Sequence, residues 1–279
     1  MLTEKEFYLY IEKLKPTEYE LMSDTAFHEL RHPGINYLIF NRKRFYLAIK
    51  YALKATAVKT PVICDVGVWP GAMLHILSDL LPNIGYSPVF HGCGLALRDD
   101  FKAFAKERFG AAISTINLDP WNLDFHGKGY PVNIPLGDGS ADLVFVTDVI
   151  EHLVHPGHML DEAFRILKPG GVIILTTPNL TRIGSVFKLL MGRTNFESRS
   201  AGYSNTEDEW RPHVREYSVL ELKDMLGRGG FASFDSCFFD GSRSDCNVFS
   251  FRGLFADMLK YPFYLVPHLR DGLLLSARK

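Results

Sequence analysis

Three short stretches hold the residues best suited to chemistry. The first, Asp65-Val-Gly-Val-Trp-Pro-Gly71, sets an acid two residues before a glycine and closes on a second glycine. Glycines there let the backbone approach a ligand, and a helix beginning at the second one offers N–H groups without intrahelical partners. The spacing is not the G-x-G-x-x-G of a nicotinamide-binding turn. The second stretch is Asp148-x-x-Glu151-His152, and the third is His213-x-Arg215-x-Tyr217. Asp148, Glu151, His152 and His213 are of the types that hold a divalent ion, but they are read here as independent residues, and no metal is assigned. His152 is either a packing neighbour at a helix start or a general base acting on an acceptor. Either His213, Arg215 and Tyr217 line an acceptor pocket, or Arg215 and Glu216 are simply exposed ends before the next helix. His155 and His158 flank a Pro-Gly turn and are read as solvated. The 4 cysteines include no C-x-x-C pair, which argues against a zinc ribbon and a disulfide framework. Cys64 and Cys93 are read as small buried hydrophobes.

The patterning around these stretches supplies a scaffold. An amphipathic helix opens the chain with Phe7, Ile11 and Leu14, and Pro16 stops it. One long helix is expected from about Tyr37 to Thr56. From Pro61 onward short apolar strands alternate with helices. PVICDV, SPVFHG, ISTINL, ADLVFVTD and Gly171–Thr177 read as strands, and Ala72–Leu81, Asp99–Phe109 and Met159–Leu167 as helices. Pro82 is expected to end the first of these helices, and Lys168-Pro-Gly-Gly the last. Strands apolar on both faces, alternating with helices, require a mostly parallel sheet covered on both sides. The polar run 193–212 reads as a mobile excursion from the core, part of a lid-like insertion at about 180–212. Ser218–Leu226 is a helix with a capping box from Ser218 and Glu221. FASFDSCFF and GLLLSARK read as closing strands, and 250–261 as a helix. The aromatic stretch Phe249–Val266 either packs over the sheet edge or presents an apolar face to a lipid-linked substrate, a partner subunit or a membrane surface.

Composition narrows the choice of function. Hydrophobic residues make up 47% and charged residues 23% of 279, an ordinary globular balance. Lys plus Arg is 31 against 32 for Asp plus Glu, so bulk binding to a phosphate backbone is not indicated and no nucleic acid partner is expected. No apolar signal core opens the chain and no run of apolar residues is long enough to span a bilayer. A cytoplasmic setting is therefore expected.

The segment IPLGDGSADLVFVTDVIEHLVHPGHMLDEAFRILKPGGVIILTTPN, from Ile134, resembles the class I S-adenosylmethionine-dependent methyltransferases. These share the order of a DLV-type strand, an EHL turn, a helix and an L-K-P-G-G entry into an apolar strand. HVREYSVLELKDMLGRGGF resembles a later segment of glycan and lipid methyltransferases, and the resemblance runs from about Pro61 to Phe239. It implies an α/β fold: a doubly wound, mostly parallel seven-stranded sheet of Rossmann-like methyltransferase type with an antiparallel last strand. A helical cap would occupy 1–58 and the methyltransferase domain 59–279.

The cofactor implied is S-adenosyl-L-methionine. Asp65, Gly67 and Gly71 match the first family motif, at the methionine part of the cofactor. Asp119 matches the acid near the adenine amine, and Asp148 borders the methionine end. Two positions depart from the family. Trp69 replaces a glycine and either walls or narrows the pocket, and Gly94 stands where an acid receives the ribose hydroxyls. The reaction implied is methyl transfer to a small-molecule acceptor or a glycan or lipid-linked sugar. One alternative is a non-catalytic binding protein on the same fold. Another is a metal-assisted 2′-O-methyltransferase, because the Asp148–His152 turn with a distant His is similar to that of small-RNA 3′-terminal enzymes.

Overall fold

The strands are β1 (Val62–Val66), β2 (Val89–Gly94), β3 (Ala112–Thr115), β4 (Ala141–Thr147), β5 (Leu167–Pro178), β6 (Ala232–Phe239) and β7 (Gly272–Arg278). In the computed structural model they form one seven-stranded sheet, ordered β3-β2-β1-β4-β5-β7-β6. The structure describes residues 2–22, 37–121, 129–194, 213–240 and 262–279. The helix expected over 250–261, most of the aromatic stretch around it and the polar run 195–212 lie outside the described residues. Pairing is parallel from β3 through β5. Only β7 runs against its neighbours, β5 and β6, so the sheet is mostly parallel with an antiparallel last strand, as the sequence implied.

Period-two alternation sends neighbouring residues of one strand to opposite faces. Ile63, Phe90, Leu143, Phe145 and Ile174 enter one core, and Cys64, Val144, Val146, Ile173 and Leu175 the other. This double burial explains why the strands read as continuous apolar runs. Cys64 and Cys93 sit in the second core.

The first core is covered by α1 (Glu4–Lys13), α3 (Arg42–Ala55), α4 (Ala72–Asn83) and α5 (Asp99–Phe109). The N-terminal helices therefore share the core of the sheet through Phe7, Ile11, Phe45 and Ile49. Each such side chain, fully buried, contributes roughly 1.5–3 kcal/mol. The second core is covered by α6 (Gly157–Ile166) and α8 (Val219–Arg228), with α7 (Ile183–Leu190) between them in the chain. The capping box of α8 is formed as expected: Glu221 N donates to Ser218 Oγ at 3.3 Å and Ser218 N to Glu221 Oε2 at 2.8 Å.

Local differences from the sequence reading have physical causes. The long helix expected from Tyr37 is interrupted at Asn41, between α2 (Tyr37–Phe40) and α3. The Asn41 side-chain amide donates to Tyr37 O at 3.0 Å, the local competition that makes Asn a poor interior helix residue. Helix α4 passes Pro82 and ends at Asn83, because a proline in the final turn removes only one donor there. Strand β5 begins at Leu167, before Lys168-Pro-Gly-Gly, and an irregularity between Ala141 and Leu143 absorbs the change of register. Strand β3 stops at Thr115, earlier than the run ISTINL suggested.

Strand order reverses at β1 and β4, with β2 and β3 on one side and β5 on the other. Such a switch point opens a crevice at the carboxyl ends of the two strands, where ligands of open α/β sheets bind. The loop after β1 is Gly67–Gly71, and the turn after β4 contains Asp148 to His152.

Candidate active site at the sheet switch point

The loop after β1 is held tightly. Gly67 N and Val68 N both donate to Cys93 O, at 2.8 and 3.1 Å. Gly67 has φ 78° and Gly71 φ 92°, the left-handed region where glycine is favoured. A Cβ on Gly67 would lie 2.3 Å from Val149 Cγ2. The glycine thus lets the two loops of the switch point touch, a different cause from the ligand approach suggested by sequence. Gly71 is the N-cap of α4, so the helix's first N–H groups, which lack intrahelical partners, follow directly on the loop. The Trp69 ring, 38% exposed, packs on Phe101 at 5.1 Å and on Tyr19 at 5.8 Å between centroids. The indole therefore forms a wall together with the N-terminal segment.

Acids gather behind this loop. Asp65 is 2% exposed and its Oδ1 has no hydrogen-bond partner. Burial pushes its carboxyl up to about 7, against the lowering influence of Arg44. Asp148, at φ 52°, accepts from Thr176 Oγ1 at 3.0 Å and forms an ion pair with the Arg44 guanidinium. Arg44 also donates to the Tyr37 hydroxyl at 3.0 Å. Glu151 is wholly buried; Thr177 Oγ1 donates to its Oε2 at 3.0 Å, while Oε1 has no partner. Burial raises its carboxyl to about 7, and Thr177 and Arg44 act in the opposite direction.

Arg44 is the functional residue that the sequence reading missed. It lies four residues before Ala48 and eight before Ala52, both buried on the same helix. A cation on an apolar stripe was the available signal.

The turn after β4 also receives the third sequence stretch. Val214 N and Arg215 N donate to Glu151 O at 2.7 and 3.3 Å. This docking sets the His152 and His213 rings 4.7 Å apart, edge to face. The ligand atoms of Glu151, His152 and His213 all lie within 4.8 Å of one another. Of the four residues read as independent, the structure brings these three together, while Asp148 is engaged by Arg44 and Thr176.

The other candidates separate. Tyr217, 2% exposed, belongs to the second core, and burial pushes its phenol up. Its ring is thus a core element. Arg215 is exposed and pairs with Glu221 at 2.6 Å, the exposed alternative of the sequence reading. Glu216, exposed in one of the two readings, is buried and pairs with Arg182 at 2.6 Å. Asp119 is fully buried and accepts from Val154 N at 2.9 Å and His155 N at 3.1 Å. It therefore anchors the chain beyond the β4 turn, a task that the adenine reading did not include. His155 is exposed beside Asp119, and His158 Nε2 is 2.8 Å from Val132 O.

These features fit S-adenosylmethionine. Asp148 pairs with the Arg44 guanidinium, whose charge also acts on the carboxyls of Asp65 and Glu151, so the acids of the switch point share one cation. The free Asp65 Oδ1 offers an acceptor for an ammonium group, and the α4 N-terminus offers donors for a carboxylate.

The comparisons with known proteins agree. The family model of the methyltransferase domain matches residues 40–233, and the chain belongs to that family. It is a class I S-adenosylmethionine-dependent methyltransferase by fold, and S-adenosyl-L-methionine is its cofactor. A probable S-adenosylmethionine-dependent methyltransferase of Mycolicibacterium smegmatis is 33% identical over 171 residues, 55% of this chain and 59% of the relative. The malonyl-[acyl-carrier protein] O-methyltransferase of a Marinomonas species is 30% identical over 140 residues, 49% of this chain and 45% of the relative. The chain thus spans about half the length of these curated relatives. Among solved structures, a possible histamine N-methyltransferase from Thermotoga maritima superposes with TM-score 0.54 at 14% identity, covering 94% of this chain and 97% of that one. Phosphoethanolamine N-methyltransferase 2 of Haemonchus contortus, in complex with S-adenosyl-L-methionine, gives TM-score 0.55 at 13% identity, over 100% and 60% of the chains. At such identities the likeness establishes the fold.

The missing ribose acid is not a steric necessity. A Cβ on Gly94 would meet Leu97 at 3.5 Å, an ordinary contact, and the residue does not require a positive φ. Gly94→Asp is expected to tighten S-adenosylmethionine binding about tenfold by supplying a charged acceptor. Calorimetric titration of both proteins checks this, and unchanged or weaker binding would remove the ribose from the end of β2.

Proposed function

We propose that this chain transfers a methyl group from S-adenosylmethionine to an oxygen of a small-molecule or glycan acceptor. The observation that carries this reading is the buried acid cluster at the switch point, with Asp65 Oδ1 unpartnered inside it. Bound there, the cofactor supplies a methyl made electrophilic by its sulfonium. Asp65 accepts from the ammonium, and the first N–H groups of α4 face the carboxylate. Arg44 holds Asp148, and its charge favours the ionised forms of Asp65 and Glu151 against the effect of burial. Trp69, backed by Tyr19 and Phe101, excludes water from one side. The remaining requirement is alignment of the acceptor and, for a hydroxyl, removal of its proton. Glu151, His152 and His213 form the group assigned to that side. The O-methyltransferase among the relatives supports an oxygen acceptor.

The test is a titration of the protein with S-adenosylmethionine, followed by transfer of labelled methyl to a panel of sugars, phenols and carboxylic acids. Micromolar cofactor binding with label in an oxygen-linked product is the expected result. A protein that binds no cofactor, or labels only nitrogen or carbon, contradicts the proposal.

A further inference from the structure

We propose that Glu151, His152 and His213 bind one divalent transition-metal ion, which holds the acceptor hydroxyl beside the methyl donor. This rests on the methyl-transfer reading above for its purpose, but not for its existence. Three observations carry it. The ligand atoms of the three residues lie within 4.8 Å of one another. Donors about 2.0–2.2 Å from a common ion stand roughly 3–3.6 Å apart, so modest side-chain rotations complete the site. Glu151 is wholly buried with Oε1 unpartnered, and a buried carboxylate oxygen without a partner is costly unless a cation or donor reaches it. The backbone of the third stretch is fastened to Glu151 O through Val214 N and Arg215 N, which holds His213 against the turn that carries the other two ligands.

The ligand set identifies the class of ion. Two imidazoles and one carboxylate suit zinc, iron(II), cobalt, nickel or manganese, whereas calcium and magnesium prefer all-oxygen sites. Three protein ligands leave coordination positions open. The ion would lie beside the cofactor-side acids, because Asp148, in the same turn as Glu151 and His152, is taken by Arg44. An acceptor hydroxyl entering an open position becomes more acidic, as metal-bound water does. Its O–H bond breaks and the proton passes to solvent water. An oxygen lone pair then forms the O–CH3 bond as the S–CH3 bond breaks, leaving that electron pair on sulfur. His152 serves here as a ligand, and no separate protein base is required. The acceptor class that follows is an alcohol, with a second oxygen nearby favoured as a chelating partner.

The experiment uses the full chain, stripped of metal with a chelator and titrated with cobalt(II). The expected result is stoichiometric binding with visible d–d absorption of a nitrogen- and oxygen-ligated ion. His213→Asn and Glu151→Gln, each checked for an unchanged thermal transition, should weaken cobalt binding by about a hundredfold through loss of one donor of three. If a variant does not fold, His152→Asn gives the same comparison. Absence of stoichiometric binding, or equal binding by wild type and folded variants, overturns the site. Cofactor titration on the same samples separates the two readings. Cobalt binding without S-adenosylmethionine binding leaves the metal site standing and removes methyl transfer. Chelator-resistant transfer to an alcohol removes the metal and leaves methyl transfer.

Discussion

Replacing Asp65 by Asn is expected to stabilise the unliganded protein at pH 8 while removing most of its affinity for S-adenosylmethionine. Both effects have one source. The Asp65 carboxyl is pushed from 3.8 up to about 7 by burial. In the unfolded chain it ionises near 4, and in the folded chain only near 7. Between those values the folded state binds more protons than the unfolded state, so stability falls as pH rises through the window and is level above it. At about 1.4 kcal/mol per unit of pKa difference, the charge costs a few kcal/mol at pH 8. Asn has no charge to bury, so the variant should melt higher than wild type at pH 8, and the gap should shrink as pH falls toward 4. Cofactor binding moves the other way. Loss of a charged acceptor in a buried pair costs about 2–4 kcal/mol, roughly 30- to 1000-fold in affinity. Wild-type affinity should also weaken by up to about tenfold per unit as pH falls below 7. Melting curves across pH and cofactor titrations decide this. A gap independent of pH, or Asn binding the cofactor as well as Asp, would show that Asp65 does not receive the ammonium.

Gly67→Val should damage stability and cofactor binding together. The new Cβ would start 2.3 Å from Val149 Cγ2, on a residue with φ 78°. The left-handed conformation costs about 1–2 kcal/mol for a side chain, and the overlap adds roughly 1–3 kcal/mol. The loops after β1 and β4 must separate to accept it, and they adjoin Asp65 at the end of β1 and Asp148 and Glu151 after β4. Gly67→Ala should show a smaller version of the same loss. Combining it with Val149→Ala should recover the overlap but not the backbone cost. Denaturant titration of the single and double variants tests this. A Gly67→Val protein as stable as wild type would be incompatible with the loop contact described above.

The central strands β1, β4, β5 and β7 were legible because they are buried on both faces and carry apolar runs. The position of Asp65–Gly71 followed from its place between the first of them and a helix. Other features depend on contacts that no local pattern records. Asp119 is fixed by the backbone of Val154 and His155, and an acid after a strand looks the same with or without that partner. Tyr217 precedes a capped helix, a setting that permits either exposure or burial. The isolated bridge between Asn179 and Tyr217, with the bonds to Glu151 O, decides the outcome through main-chain atoms. His213 reaches Glu151 and His152 by the same means, so their residue types suggested a group while only the main-chain bonds to Glu151 O bring it together. Arg44 was hidden in an amphipathic helix whose stripe reads as packing until the acids on the sheet are placed beside it.

The fastening of 214 and 215 to Glu151 O has a bearing on how this site can change over generations. Both donors are peptide N–H groups, and the side chains of Val214 and Arg215 are exposed. Any residue except proline can therefore stand at either position and preserve the attachment. The surface at 214 and 215 is free to drift in charge, bulk and polarity while His213 keeps its place beside Glu151 and His152. Under the proposed function, a lineage acquires a new acceptor by substitutions on this rim, without passing through a form in which His213 is displaced.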